Sequence, residues 1–255
     1  MLLGIDHIVI AVPDLETAIK NYVRLGFTVV PGGRHPVGTY NGLIALSDGS
    51  YIELISFYRE NIEHRWWDAL KKGGGLVDFC MQTDDLAGDT AKLRSAGVQI
   101  DDPVPWSRIR PDGYQLKWLL SLARDGHRGV APFLIQDETP REERVPGQTS
   151  HANGATGVGR VTVAVNDIPT VTRWYEAVVG RAGASVDRSE VGAIGICFTI
   201  GPHRVELLAP AAAGSLLAER LRTHGPSPWA ATLRGQKDPA PLDKSLTCGA
   251  ALSFE

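Results

Sequence analysis

Apolar residues follow two different periods in the first part of the chain. Residues 5–12 read IDHIVIAV, a β-branched and apolar run that favours a strand. Asp14 can then cap a helix, predicted from Leu15 to Leu25 because its apolar positions recur at i, i+3, i+4 and i+7 before Gly26. Further strands are predicted at about 27–30, 41–47 and 51–57. The pattern therefore predicts one βαβββ unit.

This unit recurs at fixed distances along the chain. At 71 residues further, Asp14-Leu15 recurs as Asp85-Leu86 and Gly26 as Gly97. At 153 residues further, matching positions are Gly157, Ala164, Val165, Asp167, Tyr175, Glu206 and Leu207. Ungapped matches at a fixed offset indicate internal repeats. The sequence therefore predicts three units and an abbreviated fourth, at about 1–57, 75–137, 155–209 and 226–255.

Pairing of these units determines the expected fold. A short βαβββ unit cannot cover its own apolar sheet face, so it needs a second unit against it. We expect an α+β fold in which tandem units pair into cup-shaped mixed sheets. The expected domains are an N-terminal pair of units with the active site at 1–137, a polar linker at 138–154, and a C-terminal part at 155–255.

Composition narrows the range of partners. The 26 Lys and Arg residues against 29 Asp and Glu residues provide no basic field for nucleic acid. Cys80, Cys197 and Cys248 lie far apart without C-x-x-C spacing, which fits a reducing cytoplasm. No apolar run approaches the roughly 18 residues of a membrane span. We expect a cytoplasmic protein whose partner is a small molecule, with neither nucleic acid nor membrane involved.

Two polar residues interrupt strongly apolar strands. His7 lies in the apolar row of Ile5 and Val9, and Glu53 lies in the run Tyr51–Ile55. Taken singly, the histidine could be a hydrogen-bonded core residue and the glutamate could form a salt bridge. Together they are most simply explained by a shared divalent metal, since buried carboxylates and imidazoles are costly without partners.

Several ordered motifs support a family assignment. They are residues 5–15 (IDHIVIAVPDL), 32–36 (GGRHP), 38–41 (GTYN), 51–55 (YIELI), 110–113 (RPDG), Trp118 and Pro132-Phe133. Over residues 4–208 the chain resembles the glyoxalase-like domain proteins of the vicinal oxygen chelate superfamily, which includes glyoxalases, bleomycin resistance proteins and extradiol dioxygenases. The resemblance implies a cup-shaped sheet whose first and last strands supply metal ligands, here His7 and Glu53. The implied metal is Zn, Fe, Mn, Co or Ni.

The resemblance leaves the remaining metal ligands open. Asp78, His35 and His151 are the candidates for a third ligand, although His151 could equally be an exposed linker residue. The remaining histidines occur in polar contexts that predict solvated surface positions, namely His64, His127, His203 and His224.

The third unit departs from the metal pattern. At the offset of 153, Glu53 recurs as Glu206 but His7 is replaced by Arg160. Arginine does not give up its proton and cannot ligate a cation. We therefore expect a metal-free C-terminal half in which Arg160 and Glu206 form an ion pair.

Further residues suit substrate binding. Arg34 and Arg110 could hold an oxyanion, Asn41 could bind a carbonyl, and Trp118 could stack on a planar substrate. Each could instead serve ordinary loop salt bridges or core packing. His35 is expected to be the catalytic base, since it lies nearby in a Gly-rich loop and has a suitable intrinsic pKa. Residues 59–72 are predicted to form an amphipathic helix over an open end of the first unit.

The leading functional hypothesis is a metal-dependent isomerase or lyase. In it, the metal acts as a Lewis acid on two neighbouring oxygens of a small substrate and stabilises an enediolate-like intermediate. The alternatives are an extradiol-type dioxygenase, a metal-free small-molecule binding or resistance protein of the same fold, and an assembly role as a homodimer. Fold alone does not separate these hypotheses.

Overall fold

The computed structural model of the protein describes residues 1–235 and 240–255. The first eight strands are β1 (Leu2–Ala11), β2 (Val30–Arg34), β3 (Thr39–Ala45), β4 (Tyr51–Phe57), β5 (Gly75–Thr83), β6 (Val104–Ile109), β7 (Gln115–Ser121) and β8 (Phe133–Asp137). The later strands are β9 (Gly157–Ala164), β10 (Ala184–Arg188), β11 (Ala193–Ile200), β12 (His203–Pro210), β13 (Ser227–Arg234) and β14 (Leu252–Phe254). The helices are α1 (Leu15–Arg24), α2 (Trp67–Lys71), α3 (Leu86–Ser95), α4 (Arg141–Arg144), α5 (Ile168–Val179) and α6 (Leu216–His224).

Strands β1 to β8 form a closed barrel in the order β1-β4-β3-β2-β6-β7-β8-β5. Strand β1 lies parallel to β4, with Val9 opposite Glu53, and antiparallel to β5, with Val9 opposite Asp78. The barrel closes between β2 and β6 through the pair Arg34 and Ile109. The predicted α+β fold with curled mixed sheets is confirmed, and the first sheet curls further than a cup.

Local sequence explains the first unit. The Asp14 side chain accepts a hydrogen bond from the Thr17 backbone N–H at 2.7 Å, so α1 begins where the capping signal predicts. Its buried face includes Tyr22, and Gly26 follows with a φ of 86°. Strand β2 begins at Val30, later than predicted, because Thr28 instead donates its backbone N–H to His151 at 3.0 Å.

Strands β9 to β14 form a second mixed sheet in the order β10-β11-β12-β9-β13-β14. Strand β9 lies parallel to β12, as β1 does to β4, and β13 lies antiparallel to β9, as β5 does to β1. Strand β14 then lies parallel to β13, as β8 does to β5. The tail therefore supplies the first and last strands of a βαβββ unit.

The two sheets share one apolar core. The Tyr175 hydroxyl donates to the Val130 carbonyl at 2.8 Å, and both residues belong to that core. The backbone N–H of Ile5 donates to His203 Nδ1 at 2.9 Å. His203 is buried, so its predicted surface position is wrong. The C-terminal half therefore contacts the start of β1 directly.

The segment between the sheets is also packed. His151 is buried, accepts from Thr28 through Nδ1 and donates from Nε2 to the Ala45 carbonyl at 2.9 Å. This linker residue is therefore packed against the first unit and is not exposed. No helix in the described residues is long and apolar enough to cross a bilayer.

The predicted helix over residues 59–72 is mostly absent. Only Trp67–Lys71 is helical in this segment. Arg65 and Trp66 instead turn toward the barrel interior, where they line a cavity. Contacts with the barrel therefore override the helical spacing of the apolar residues.

Candidate functional site

A β-bulge in β1 brings two polar side chains together. Ile5 lies opposite Met81 and His7 lies opposite Cys80, so Asp6 is the extra residue. The bulge lets the Asp6 carboxylate approach its own neighbour, with Oδ1 at 2.6 Å from His7 Nδ1. Both side chains are buried. The local backbone therefore orients the imidazole ring.

Arginines from α4 keep Asp6 ionised. Burial by itself raises the pKa of Asp6, but the charges of Arg144 and Arg141 and the bond to His7 hold it well below its ordinary value. Arg144 Nη2 lies 2.7 Å from Asp6 Oδ2. An ionised carboxylate only accepts hydrogen bonds, so Nδ1 of His7 carries a proton and donates it. In the neutral ring, the lone pair then lies on Nε2.

His7 Nε2 lies 3.6 Å from Oε2 of Glu53, too far for a hydrogen bond. The other carboxylate oxygen, Oε1, accepts from Asn41 Nδ2 at 2.6 Å. Two electron-pair donors therefore face each other across a buried gap, and a cation between them would satisfy both. Bonds of about 2.0–2.2 Å from nitrogen and oxygen to a divalent metal can span this separation. The donor set fits a divalent metal, which His7 and Glu53 would hold.

Asp6 contacts His7 in the way that carboxylates contact metal-binding histidines, through the ring nitrogen that faces away from the metal. Such histidines usually donate their second ring N–H to a carboxylate or carbonyl, which fixes the tautomer and the ring direction. Tyr51 stacks on the His7 ring with centroids 4.6 Å apart, and Phe133 contacts it edge-on at 5.4 Å. The imidazole is therefore fixed before any ligand binds.

Among the described residues, one cluster of three metal-ligating types includes Asp6, His7 and Cys80. Asp6 already accepts from His7, Arg141 and Arg144. Burial raises the pKa of the Cys80 thiol well above its ordinary value, so a metal would have to displace its proton on binding. This cluster therefore offers a poorer ligand set than His7 and Glu53.

The candidate third ligands differ in position. Asp78 is directed to Arg65 Nη2 at 2.7 Å and accepts from Trp66 Nε1 at 3.0 Å. His151 packs against Ala45 and is not among the residues that line the cavity. His35 lines the cavity, and its Nδ1 lies 2.9 Å from Thr39 Oγ1. Of the three, the structure brings His35 into the same cavity as His7 and Glu53.

Burial lowers the pKa of His35 to about 4, an effect that the nearby Glu53 charge only partly offsets. The ring is therefore neutral at pH 7. With Nδ1 bonded to Thr39, Nε2 is the nitrogen available to the cavity. His64 also lines this cavity, where burial lowers its pKa to about 4, so its predicted surface position is wrong.

Aromatic rings form one part of the remaining cavity wall, beside the aliphatic side chains of Ile55, Leu120, Leu122 and Ile135. Trp106 and Trp118 lie directly opposite each other on β6 and β7 and share a face of the barrel. Trp66 and Phe133 complete the wall, with ring centroids 6.2 Å apart. Of the predicted substrate-binding residues, Asn41 and Trp118 therefore lie in the cavity, although Asn41 contacts Glu53 directly.

Arg34 and Arg110 do not reach this cavity. Both line a separate depression on the outside of the barrel. Arg34 is exposed, 5.1 Å from the Tyr58 ring, and Arg110 forms an ion pair with Asp112. Strand β6 ends at Ile109, so Arg110 begins a turn, whereas Arg108 points into the barrel by the two-residue period of the strand.

Sequence reasoning missed Arg108, Asp6 and Arg144. The alternation of Trp106 and Arg108 along one strand was a usable signal for Arg108. Asp6 stands beside His7 on what a regular strand would make the opposite face, and only the bulge brings it round. Arg144 lies in the linker, far along the chain, and no local pattern marks it.

The chain matches the family model described as "Glyoxalase-like domain" over residues 5–179. It therefore belongs to the glyoxalase-like domain family, within the vicinal oxygen chelate superfamily, as its motifs indicate. No curated protein gives a significant match.

Similar solved structures include a hypothetical protein from Staphylococcus aureus, with a TM-score of 0.71 and 16% identity over 98% of each chain. A mutant of 4-hydroxymandelate synthase from Streptomyces coelicolor has a TM-score of 0.64 and 14% identity, covering 92% of this chain and 71% of that one. A xylose isomerase-like TIM barrel/4-hydroxyphenylpyruvate dioxygenase fusion protein has a TM-score of 0.56 and 13% identity, covering 92% of this chain and 36% of that one. At these identities the likeness concerns the fold.

Proposed function

We propose that the protein is a metal-dependent vicinal oxygen chelate enzyme of the isomerase or lyase type, acting on a small oxygenated organic substrate. The observation that carries the proposal is the facing pair of His7 Nε2 and Glu53 Oε2, 3.6 Å apart in a buried cavity. The superfamily includes metal-dependent isomerases and dioxygenases, and this donor pair is of the kind that such enzymes need.

Imidazole and carboxylate ligands suit Zn, Fe, Mn, Co or Ni. A bound divalent metal would supply Lewis-acid polarisation of neighbouring substrate oxygens. The protein's own residues prepare that site. Asp6 orients His7 through Nδ1, and Asn41 holds one oxygen of Glu53 so that the other faces His7.

Proton transfer falls to His35 in this proposal. The ring is neutral, and Nε2 can accept a proton from a substrate carbon beside a polarised carbonyl. Thr39 fixes the ring through Nδ1, and Trp118 contacts it edge-on at 6.2 Å. The apolar tryptophan wall lowers the local polarity and so would strengthen the electrostatic interactions of the charges in the cavity.

Metal content tests the proposal most directly. Protein purified without chelators is measured by inductively coupled plasma mass spectrometry, beside His7→Ala, Glu53→Gln and the control Glu206→Gln. We expect near-stoichiometric metal in the wild type and the control, and little in the other two variants. A metal-free wild type, or unchanged content in both site variants, would overturn the enzyme hypothesis and favour a metal-free binding protein.

A dioxygenase is the second candidate function. The observation that favours it is that two imidazoles, His7 and His35, line one cavity with the carboxylate of Glu53. Two histidines and one carboxylate are typical of non-haem Fe(II) oxygenases. Oxygen uptake by the Fe(II)-loaded protein with catechol or 2-oxo acid substrates tests this candidate. Turnover of a substrate under anaerobic conditions contradicts it and supports the isomerase or lyase.

A further inference from the structure

Three arginines line the barrel cavity, and they differ in how their charge is compensated. Arg65 pairs with Asp78 at 2.7 Å. Arg144 pairs with Asp6 at 2.7 Å and also with Asp137. Among the described residues, no carboxylate oxygen lies within 4.0 Å of the Arg108 guanidinium. Arg108 is therefore the cavity arginine without a direct counter-ion.

Arg108 is also deeply buried, with 3% of its surface exposed. One amino group, Nη2, donates to the Arg144 carbonyl at 2.8 Å. Its Nε is buried without a hydrogen-bond partner in the part of the chain that the structure describes. A guanidinium keeps its charge in proteins, and an unpaired buried charge is costly. The cost is removed when an anion binds beside it.

The backbone makes room for this guanidinium beside the metal pair. A Cβ added to Gly32 would lie 3.0 Å from Arg108 Nη1 and 2.1 Å from Asn41 Oδ1. Asn41 in turn donates to Glu53 at 2.6 Å. Arg108 and the Asn41–Glu53 pair therefore border the same small space, which glycine leaves open.

The walls around Arg108 indicate the rest of the ligand. Trp106 precedes it by two residues on β6 and so shares its side of the strand, and Trp118 lies opposite Trp106. Flat apolar walls favour a planar molecule, which stacks on them or contacts them edge-on. A single guanidinium fork matches a carboxylate, which it can bind through two parallel hydrogen bonds.

We propose that Arg108 forms an anion subsite for the carboxylate of a small planar organic acid whose flat part lies against the tryptophan wall. This inference deepens the proposed function and rests on it for the assignment of the cavity as the substrate site. It names the class of substrate, a planar carboxylate, and it moves the binding role from Arg110 to Arg108.

Benzoate and its neutral near-isostere benzamide test the subsite. Binding is followed by tryptophan fluorescence and calorimetry at constant ionic strength, with metal-stripped and Zn-loaded wild-type protein. We expect benzoate to bind at least about tenfold more tightly than benzamide in both forms, since a hydrogen-bonded charge is involved. Equal binding of the two, or no binding of benzoate, overturns the proposal without any variant.

Variants then locate the carboxylate. Arg108→Gln is expected to remove the preference for benzoate, and Arg108→Lys to keep part of it, because a point charge replaces a fork. The matched control Arg110→Gln removes an arginine two residues further on, outside the cavity, and is expected to change nothing. Circular dichroism in the near ultraviolet checks that each variant is folded.

Failure of this inference differs from failure of the proposed function. If benzoate affinity falls in His7→Ala but not in Arg108→Gln, the carboxylate binds the metal, which overturns the subsite and leaves the enzyme hypothesis intact. If the wild type contains no metal but its benzoate preference depends on Arg108, the subsite is supported and the proposed metal chemistry is not.

Discussion

The two halves of the chain carry different polar residues at equivalent positions of their repeated units. At 153 residues further, arginines replace both histidines, with Arg160 for His7 and Arg188 for His35. The glutamate is kept, with Glu206 at the position of Glu53. Glu206 accepts from Arg188 at 2.5 Å and 2.9 Å, and Arg160 lies 3.8 Å away, which is the ion pair expected from the sequence. The C-terminal carboxylate is thus compensated by its own half.

Glu53, by contrast, accepts one hydrogen bond, from Asn41, within the part of the chain that the structure describes, and it faces His7. The barrel therefore leaves electron-pair donors free where the second sheet neutralises them. A second difference supports this contrast, because Asp6 is replaced by Gly159 at the same offset. Without a carboxylate at that position, nothing equivalent orients the side chain that follows. The carboxylate is thus paired with arginine in the second sheet and faces a histidine in the barrel.

Removing the anchor of the barrel site is expected to have the largest effect. Arg144→Ala leaves Asp6 buried without its main counter-ion, and breaking a buried pair costs about 3–5 kcal/mol. The free energy of unfolding from urea titration measures this loss. Arg188→Ala removes a partly exposed arginine from the buried Glu206, which Arg160 still faces at 3.8 Å, so the loss should be smaller, about 1–3 kcal/mol. Equal losses in the two variants would contradict the contrast.

Replacing His7 by arginine should give the barrel the arginine–glutamate pairing of the second sheet. His7→Arg introduces a cation that can pair with Glu53 and cannot ligate metal. We expect metal affinity to fall more than about 100-fold, beyond the 10–100-fold typical of losing an outer partner. Equilibrium dialysis against Zn²⁺ measures it. The reciprocal Arg160→His should gain no metal, because Gly159 provides no orienting carboxylate; metal uptake there would show that the orienting group is dispensable.

Acid pH should weaken the barrel through His35. Its pKa is about 4 in the folded protein and about 6.5 when unfolded, so the unfolded chain binds the proton first. Stability is therefore full above pH 6.5, falls between about 6.5 and 4, and loses up to about 3 kcal/mol through this group. Urea titrations of metal-stripped protein across this range measure the slope.

His35→Gln is the matched variant for that slope. It should flatten the pH dependence between 6.5 and 4, leaving the part due to His64. The second sheet has Arg188 at this position, which does not titrate in the range. An unchanged slope in His35→Gln would mean that the histidine is not buried neutral.

A methyl group at Gly32 should produce the smallest effect. Its Cβ would meet Asn41 Oδ1 at 2.1 Å and displace it, and overpacking of this kind costs about 1–3 kcal/mol. The second sheet has Ser185 at the same offset, so a side chain is accommodated there. Thermal unfolding of Gly32→Ala beside Ser185→Ala compares them; a neutral Gly32→Ala would show that Asn41 and Arg108 can move aside.

The fold could be predicted because its signals are local and repeated. The cap at Asp14, the helical spacing of α1 and the ungapped offsets each depend on a few neighbouring residues. His7, Glu53 and His35 could be selected as polar residues in apolar or Gly-rich surroundings. The roles of the first two as metal ligands stay predictions for the metal measurement.

The rest of the site depends on contacts between distant residues. Arg144 reaches Asp6 from the linker, and His203 reaches Ile5 from the second sheet. The sequence motif at 110–113 singled out Arg110, whereas strand β6 ends at Ile109 and Arg108 is the arginine that lines the cavity. Such outcomes follow from how strands register and close, which no short pattern in the sequence records.

The hydrogen bond from Ile5 to His203 joins the first strand of the barrel to the C-terminal half of the chain. A Cβ on Gly4, the preceding residue, would lie 2.5 Å from His203 Nδ1. The start of β12 therefore contacts β1, the strand that carries the bulge, directly. The second sheet, which has Arg160 where the barrel has His7, thus contacts the strand that carries His7. We therefore expect a chain that ends before residue 203 to bind less metal than the full chain, although it retains His7 and Glu53; the metal measurement on the truncated chain checks this.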